Sequence, residues 1–120
     1  MAENHRIKKI KLPICITEHD WSPDTIPLVS ISCLTYNHRN YIKDALEGFL
    51  MQKTTFPVRI VIFDDCSTDG TREIVQKYEA KYPDLIKGVY PKENTYQKPN
   101  RQEALKPRNE LRDVAKYIAI

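Results

Sequence analysis

Apolar positions along the chain change their period several times, and each change marks an element. Leu28-Val29-Ser30-Ile31-Ser32-Cys33-Leu34 is a short, mostly apolar run that closes on the polar turn Thr35-Tyr36-Asn37-His38, which predicts a buried first strand. Beyond the turn, Ile42, Leu46, Phe49 and Leu50 recur at i, i+4, i+7 and i+8. That spacing lines one face of a helix from about Asn40 to Met51. Pro57 closes a linker, and Val58-Arg59-Ile60-Val61-Ile62-Phe63 forms a second β-branched run that stops at Asp64-Asp65-Cys66-Ser67-Thr68-Asp69-Gly70. Helical spacing returns at Thr71, with Ile74, Val75, Tyr78 and Tyr82 placed for burial, and Pro83 ends it. Ser67, Thr68, Asp69 and Thr71 are all residues that cap helix starts.

The pattern weakens toward both ends. Leu85 to Tyr90 predicts a third strand, weakened by Gly88, and Pro91 to Pro107 has no periodic apolar face and predicts an irregular loop. A short helix is expected within Asn109 to Lys116, and Tyr117-Ile118-Ala119-Ile120 begins a fourth strand. Residues 1–26 form an N-terminal extension in which Ile7, Ile10, Leu12, Ile14 and Ile16 alternate loosely, as an edge strand or an extended arm would. Strands alternating with helices predict an α/β fold, a mainly parallel sheet flanked by helices, covering 27–120. Ligands of such sheets bind at the carboxyl ends of the strands, where both polar loops lie.

Composition adds bounds without moving the elements. A chain of 120 residues with 41% hydrophobic and 29% charged residues is long enough for one domain with a core. The net charge of +3 is a weak excess, and Arg6, Lys8, Lys9 and Lys11 read as a solvated arm, so no nucleic-acid partner is expected. Cys15, Cys33 and Cys66 form no close pair, which argues against a disulfide framework or a zinc site. Cys33 reads as a small core residue, Cys66 has no base beside it, and His5, His19 and His38 show no ligand spacing. No signal peptide and no apolar run near the roughly 20 residues of a membrane span is visible. The expected location is the cytoplasm, with peripheral membrane attachment left open for a longer protein.

The chemistry gathers in the two loops. Tyr36, flanked by Thr35 and Asn37, offers a stacking face, and the Asp64–Asp65 pair offers acceptors. A carboxylate accepts from the ring N–H of uracil, thymine or guanine, whereas adenine and cytosine present a bare nitrogen there. The residues alone leave open which carboxylate of the pair makes that contact and which serves the turn. Only Gly48, Gly70 and Gly88 occur, which excludes a dinucleotide fingerprint and a P-loop, so a diphosphate would call for metal neutralisation.

Val29-Ser30-Ile31-Ser32-Cys33-Leu34-Thr35-Tyr36-Asn37, a helix, and then Ile60-Val61-Ile62-Phe63-Asp64-Asp65-Cys66-Ser67-Thr68-Asp69-Gly70-Thr71 resemble the opening of family 2 glycosyltransferases of the GT-A fold. The resemblance runs from about Pro27 to Ile120 and implies a Rossmann-like GT-A half domain. It further implies a nucleotide-diphosphate-sugar donor, UDP-linked in the leading reading, with Thr35, Tyr36, Asn37, Asp65 and Arg108 as nucleotide-binding residues. The family inverts the sugar C1 by attack of an acceptor hydroxyl, on a saccharide or lipid-linked acceptor, with a general base and Mg²⁺ or Mn²⁺. The resemblance puts the acidic metal-binding motif and the catalytic base beyond Ile120. The 120-residue chain is therefore expected to be inactive, to hold no metal tightly, and to self-associate near Tyr117–Ile120. Three departures stand out: Cys66 where Gly is common, Leu34 where Pro is common, and no glycine between Ala115 and Tyr117, which bears on the alignment of Arg108 and Asn109. Two other readings compete: a phosphoacceptor signalling domain, and a structural fragment that binds nothing.

Overall fold

Seven consecutive residues that must hide side chains on both faces make a central strand, and the chain supplies two such runs. The computed structural model describes residues 12–119. In it β2 (Val29–Thr35) and β4 (Val58–Asp64) pair in parallel from Val29↔Val58 to Thr35↔Asp64. The helix α1 (Arg39–Leu50) joins them, and α2 (Thr71–Lys81) joins β4 to β5 (Ile86–Val89), which adds in parallel at the outer side of β4. The chain then crosses back through α3 (Arg101–Ala104) and α4 (Lys106–Arg112) to β6 (Tyr117–Ala119), parallel to β2. The order β5-β4-β2-β6 is the doubly wound pattern, turning back at β2.

Alternation along β4 sorts its side chains between two layers. Ile60 and Ile62 join Ile42, Leu46 and Leu50 of α1, Val75 of α2 and Ile86 of β5 in the main core. Burial at Leu46 and Val75 is complete. The opposite face holds Val61 and Phe63, both fully buried, and is covered by α4, where Arg59 Nη1 donates to the Leu111 carbonyl at 3.2 Å. That layer is thin and polar, and it includes the buried Ser30 hydroxyl, which lacks a protein partner.

Three expectations gain detail. The stretch 91–107 is not wholly irregular: α3 forms at Arg101 and α4 begins at Lys106, three residues before the expected start at Asn109. Buried Leu105 pins the junction, and Pro107 lies in the first turn of α4, where its missing N–H is no loss. Gly88 lies inside β5. It leaves room for the Tyr90 ring, since a Cβ at Gly88 would overlap the Tyr90 phenol. The described part of the N-terminal extension is built into the fold: β1 (Ile14–Cys15) pairs antiparallel with β3 (Lys53–Thr54), followed by a 3-10 turn (Ile16–Glu18) that buries Ile16 in the main core. Ile7, Ile10, the basic cluster at 6–11 and Ile120 lie outside the described residues.

Among the described residues no helix is long and apolar enough to cross a membrane. Among the described residues β6 pairs with β2 alone, and Tyr117 and Ile118 are 55% and 44% exposed. Such an edge templates pairing with other chains. The 120-residue chain is accordingly expected to self-associate through β6, raising its scattering mass with concentration in a light-scattering dilution series. A strictly monomeric chain at all concentrations would count against this.

Candidate functional site

Both polar loops emerge at the carboxyl end of the sheet because β2 and β4 run parallel and in register. They are stitched together before any ligand is considered. Asn37 adopts a left-handed backbone (φ 53°), its N–H donates to Ser67 Oγ at 2.9 Å, and its Oδ1 accepts from Thr68 N at 2.8 Å. Asp69 works across both helix starts: Oδ1 accepts from the Thr71 hydroxyl and N–H, and Oδ2 accepts from Arg39 N at 3.1 Å. The Thr71 hydroxyl, foremost among these donors, holds the Asp69 carboxyl below the usual aspartate range. His38 N donates in turn to Thr71 Oγ1 at 2.9 Å.

The two aspartates at the end of β4 have opposite surroundings. Asp64 is fully buried; Oδ1 accepts from Thr35 Oγ1 at 2.7 Å and Ser67 Oγ at 2.6 Å, and Oδ2 accepts from Ser67 N at 3.0 Å. Its burial among these protein donors gives Asp64 the structural role of a tie between the two loops. Cys66 follows at φ 63°, a backbone that suits glycine better than any residue with a Cβ.

Asp65 is 6% exposed and faces a cleft of about 480 Å³. Its Oδ1 accepts from Thr95 N at 2.7 Å and Thr95 Oγ1 at 2.8 Å, and its Oδ2 lies 3.4 Å from Arg101 Nη1. The main chain is held as well: Asp65 N donates to the Thr35 carbonyl, and Asn94 Nδ2 donates to the Asp65 carbonyl at 3.0 Å. Leu34 and Thr35 of β2 line the cleft with Tyr36 and His38 just after it; Phe63 of β4 lines it with Asp65 just after it, and Asn94 and Tyr96 of the loop beyond β5 line it with Arg101 at the start of α3. Tyr36 is 46% exposed, and the Arg101 guanidinium sits 5.7 Å from the centre of the Tyr96 ring.

Of the five residues singled out in the sequence, Thr35, Tyr36 and Asp65 meet in this cleft. Asn37 is not among its lining residues and ties the loops together instead. Arg108 also lies off the lining; it donates to Ser32 Oγ at 3.3 Å and to Asn109 Oδ1 at 2.8 Å. Burial lowers the Arg108 pKa from its ordinary value, and the group remains cationic at neutral pH. Sequence reasoning missed Asn94, Thr95, Tyr96 and Arg101. Their one visible signal was a cluster of amide, hydroxyl, aromatic and guanidinium groups inside a stretch read as plain loop. As for a metal, the described residues include no group of three His, Cys, Asp or Glu side chains able to hold an ion. Asp64 and Asp65 are committed to hydroxyl and amide donors, so this donor set alone does not fit one.

Residues 30–107 match the family described as Glycosyl transferase family 2. Relatives in Mycobacterium tuberculosis and Mycobacterium bovis are 46% identical over 61 residues, 51% of this chain and 18% of theirs. TuaG of Bacillus subtilis, provisionally named as a teichuronic acid biosynthesis glycosyltransferase, is 41% identical over 93 residues, 78% of this chain and 34% of that protein. Among solved structures, TarS of Staphylococcus aureus in complex with UDP-GlcNAc matches with 34% identity and a TM-score of 0.50, covering 66% of this chain and 23% of that one. The chain thus spans well under half the length of each of these relatives.

Proposed function

The chain belongs to glycosyl transferase family 2, and from that premise we propose that its cleft binds the base of a nucleotide-diphosphate sugar, UDP-linked in the leading reading. The observation that carries this is the buried Asp65 carboxylate, turned to the cleft beside Arg101 and within the same lining as the exposed Tyr36. A planar base laid on Tyr36 gains stacking, and its edge meets an acceptor next to a donor. Where the carboxylate faces the ring nitrogen of the base, uracil and guanine present an N–H to it, whereas adenine and cytosine present a bare nitrogen. UDP-GlcNAc in the TarS complex is one donor of the first kind.

In this reading the whole protein transfers a sugar from such a donor to a saccharide or lipid-linked acceptor with inversion. The described residues supply the base-binding part, and we assign no catalytic base and no metal ligand among them. Residues 1–26 act as an N-terminal extension and 27–120 as the nucleotide-sugar-binding portion. Thr35 and Asn37 contribute by shaping the loops, and Arg108 by supporting β2 from the α4 side.

Calorimetric titration with UDP, GDP, ADP and CDP tests the reading. Binding of UDP or GDP with little response to ADP and CDP is expected. In Asp65→Asn the Thr95 donors keep the amide oxygen, which turns the amide N–H₂ toward Arg101 and the base N–H. Donor then faces donor, and affinity is expected to fall by about 1–3 kcal/mol, roughly ten- to a hundredfold. ADP binding as tight as UDP and GDP, or an unchanged titration for Asp65→Asn, would remove Asp65 from the site.

A further inference from the structure

The clasp that holds Asp65 comes from one short segment. Asn94 Nδ2 donates to the Asp65 carbonyl and Tyr96 N donates to Asn94 Oδ1, which sets Thr95 between two fixed neighbours. Lys98 N then donates to the Thr95 carbonyl at 3.0 Å, closing a turn with Gln97 in the left-handed region at φ 63°. Thr95 itself is 3% exposed, and both its donors end on one atom, Asp65 Oδ1. Arg101 Nη1 donates to Thr95 Oγ1 at 3.0 Å, so the threonine hydroxyl is polarised by a cation on one side while it donates to a carboxylate on the other.

A carboxylate has two oxygens and free rotation about its terminal bond, so pinning one oxygen fixes the direction of the other. We propose that Thr95 is a positioning residue for base selectivity: by saturating Oδ1 it commits Oδ2 of Asp65 to the cleft, where Oδ2 and Arg101 together read the ring N–H and carbonyl of the base. This rests on the nucleotide-binding reading above. Without the Thr95 hydroxyl, Oδ1 keeps only the backbone N–H, the carboxylate swings, and Arg101 loses the oxygen that holds it beside Asp65. Stacking on Tyr36 is indifferent to the base and survives. The loss therefore falls on the nucleotides that present a ring N–H, and ADP and CDP are spared.

The variants are Thr95→Val, which keeps the shape and deletes the hydroxyl, and Thr95→Ser, which keeps the hydroxyl. Each is titrated with UDP, GDP, ADP and CDP after urea unfolding has shown that it is folded. Thr95→Val is expected to bind the preferred nucleotide about tenfold more weakly, with ADP and CDP unchanged, so that selectivity collapses by the same factor. Thr95→Ser is expected to restore it. Should the valine variant fail to fold, Thr95→Ala deletes the same hydroxyl without placing a methyl against the carboxylate. A preference that survives the loss of the hydroxyl overturns the role of Thr95 while leaving the functional reading intact. An equal loss for all four nucleotides also overturns it, since the threonine would then be only a wall of the cleft. Equal binding of all four nucleotides by the unaltered chain defeats the functional reading itself.

Discussion

Asp64→Ala is expected to destabilise the fold by about 3–5 kcal/mol, because the carboxylate it removes accepts from three donors at the end of the sheet. Thr35 Oγ1, Ser67 Oγ and Ser67 N all end on Asp64, which has no exposed surface. Without it, the Ser67 amide and the Thr35 hydroxyl stay in the protein with nothing to accept from them, at about 1–3 kcal/mol each. Urea unfolding is the measurement: the midpoint should drop with little change in slope. Asp64→Asn, which keeps one acceptor oxygen, should fall between. Nucleotide affinity should decline as well, since the Thr35 carbonyl that holds Asp65 N belongs to the same corner. A change below 1 kcal/mol for the alanine variant would show that Asp64 is not the tie described here.

How much of this fold could be read in advance depends on where each side chain is buried. β4 was legible because a strand covered on both faces must be apolar at nearly every position, and it is fully buried from Ile60 to Asp64; β2, with Ser30, Ser32 and Thr35 among its seven residues, was legible from the apolar residues between them. α1 was legible because one face of it, Ile42, Leu46 and Leu50, meets the core. α3 and α4 were not. Neither helix contains a buried residue, and their anchor, Leu105, sits at the junction between them, so no period could form. Pro107 then looked like a breaker although it occupies a first turn. β1 and β3 are two residues each; the loose alternation through Ile14 and Ile16 allowed an edge strand or an extended arm, and the partner at Lys53–Thr54 and the burial of Ile16 in the core are tertiary facts.

Half of the candidate site was legible for a related reason. Topology alone brings Thr35, Tyr36 and Asp65 to one edge, since parallel strands in register must end together. The rest arrives from a distance: Thr95 and Arg101 reach Asp65 across 30 and 36 residues, through a turn whose own sequence shows only polar residues. No period or spacing encodes such a closure. Cys66 sits between these cases. Its place where a glycine is common marked it in the sequence, and the positive φ found there supplies the physical reason for that preference.

Gly88→Ala carries the second large effect, and it concerns the strand from which the clasp loop departs. Gly88 N donates to Glu79 Oε2 at 3.0 Å, and the Tyr90 hydroxyl donates to Glu79 Oε1 at 2.8 Å, so one carboxylate on α2 ties down both β5 and the residue after it. Burial, aided by the Glu79 carboxylate, pushes the Tyr90 phenol above its ordinary pKa and keeps it a donor across the working pH range. The phenol lies directly over Gly88. A Cβ there would overlap Tyr90 and come within 2.8 Å of Glu79 Oε1, so the ring must leave and its hydrogen bond to the carboxylate must break. Overpacking of about 1–3 kcal/mol and a lost charged hydrogen bond of about 1.5–3 kcal/mol combine to an expected loss of about 3 kcal/mol. The double variant Gly88→Ala with Tyr90→Ala removes the collision and should be more stable than the sum of the two single losses predicts, a positive coupling read from urea midpoints. Strictly additive losses would show that the glycine is not there to make room for the tyrosine.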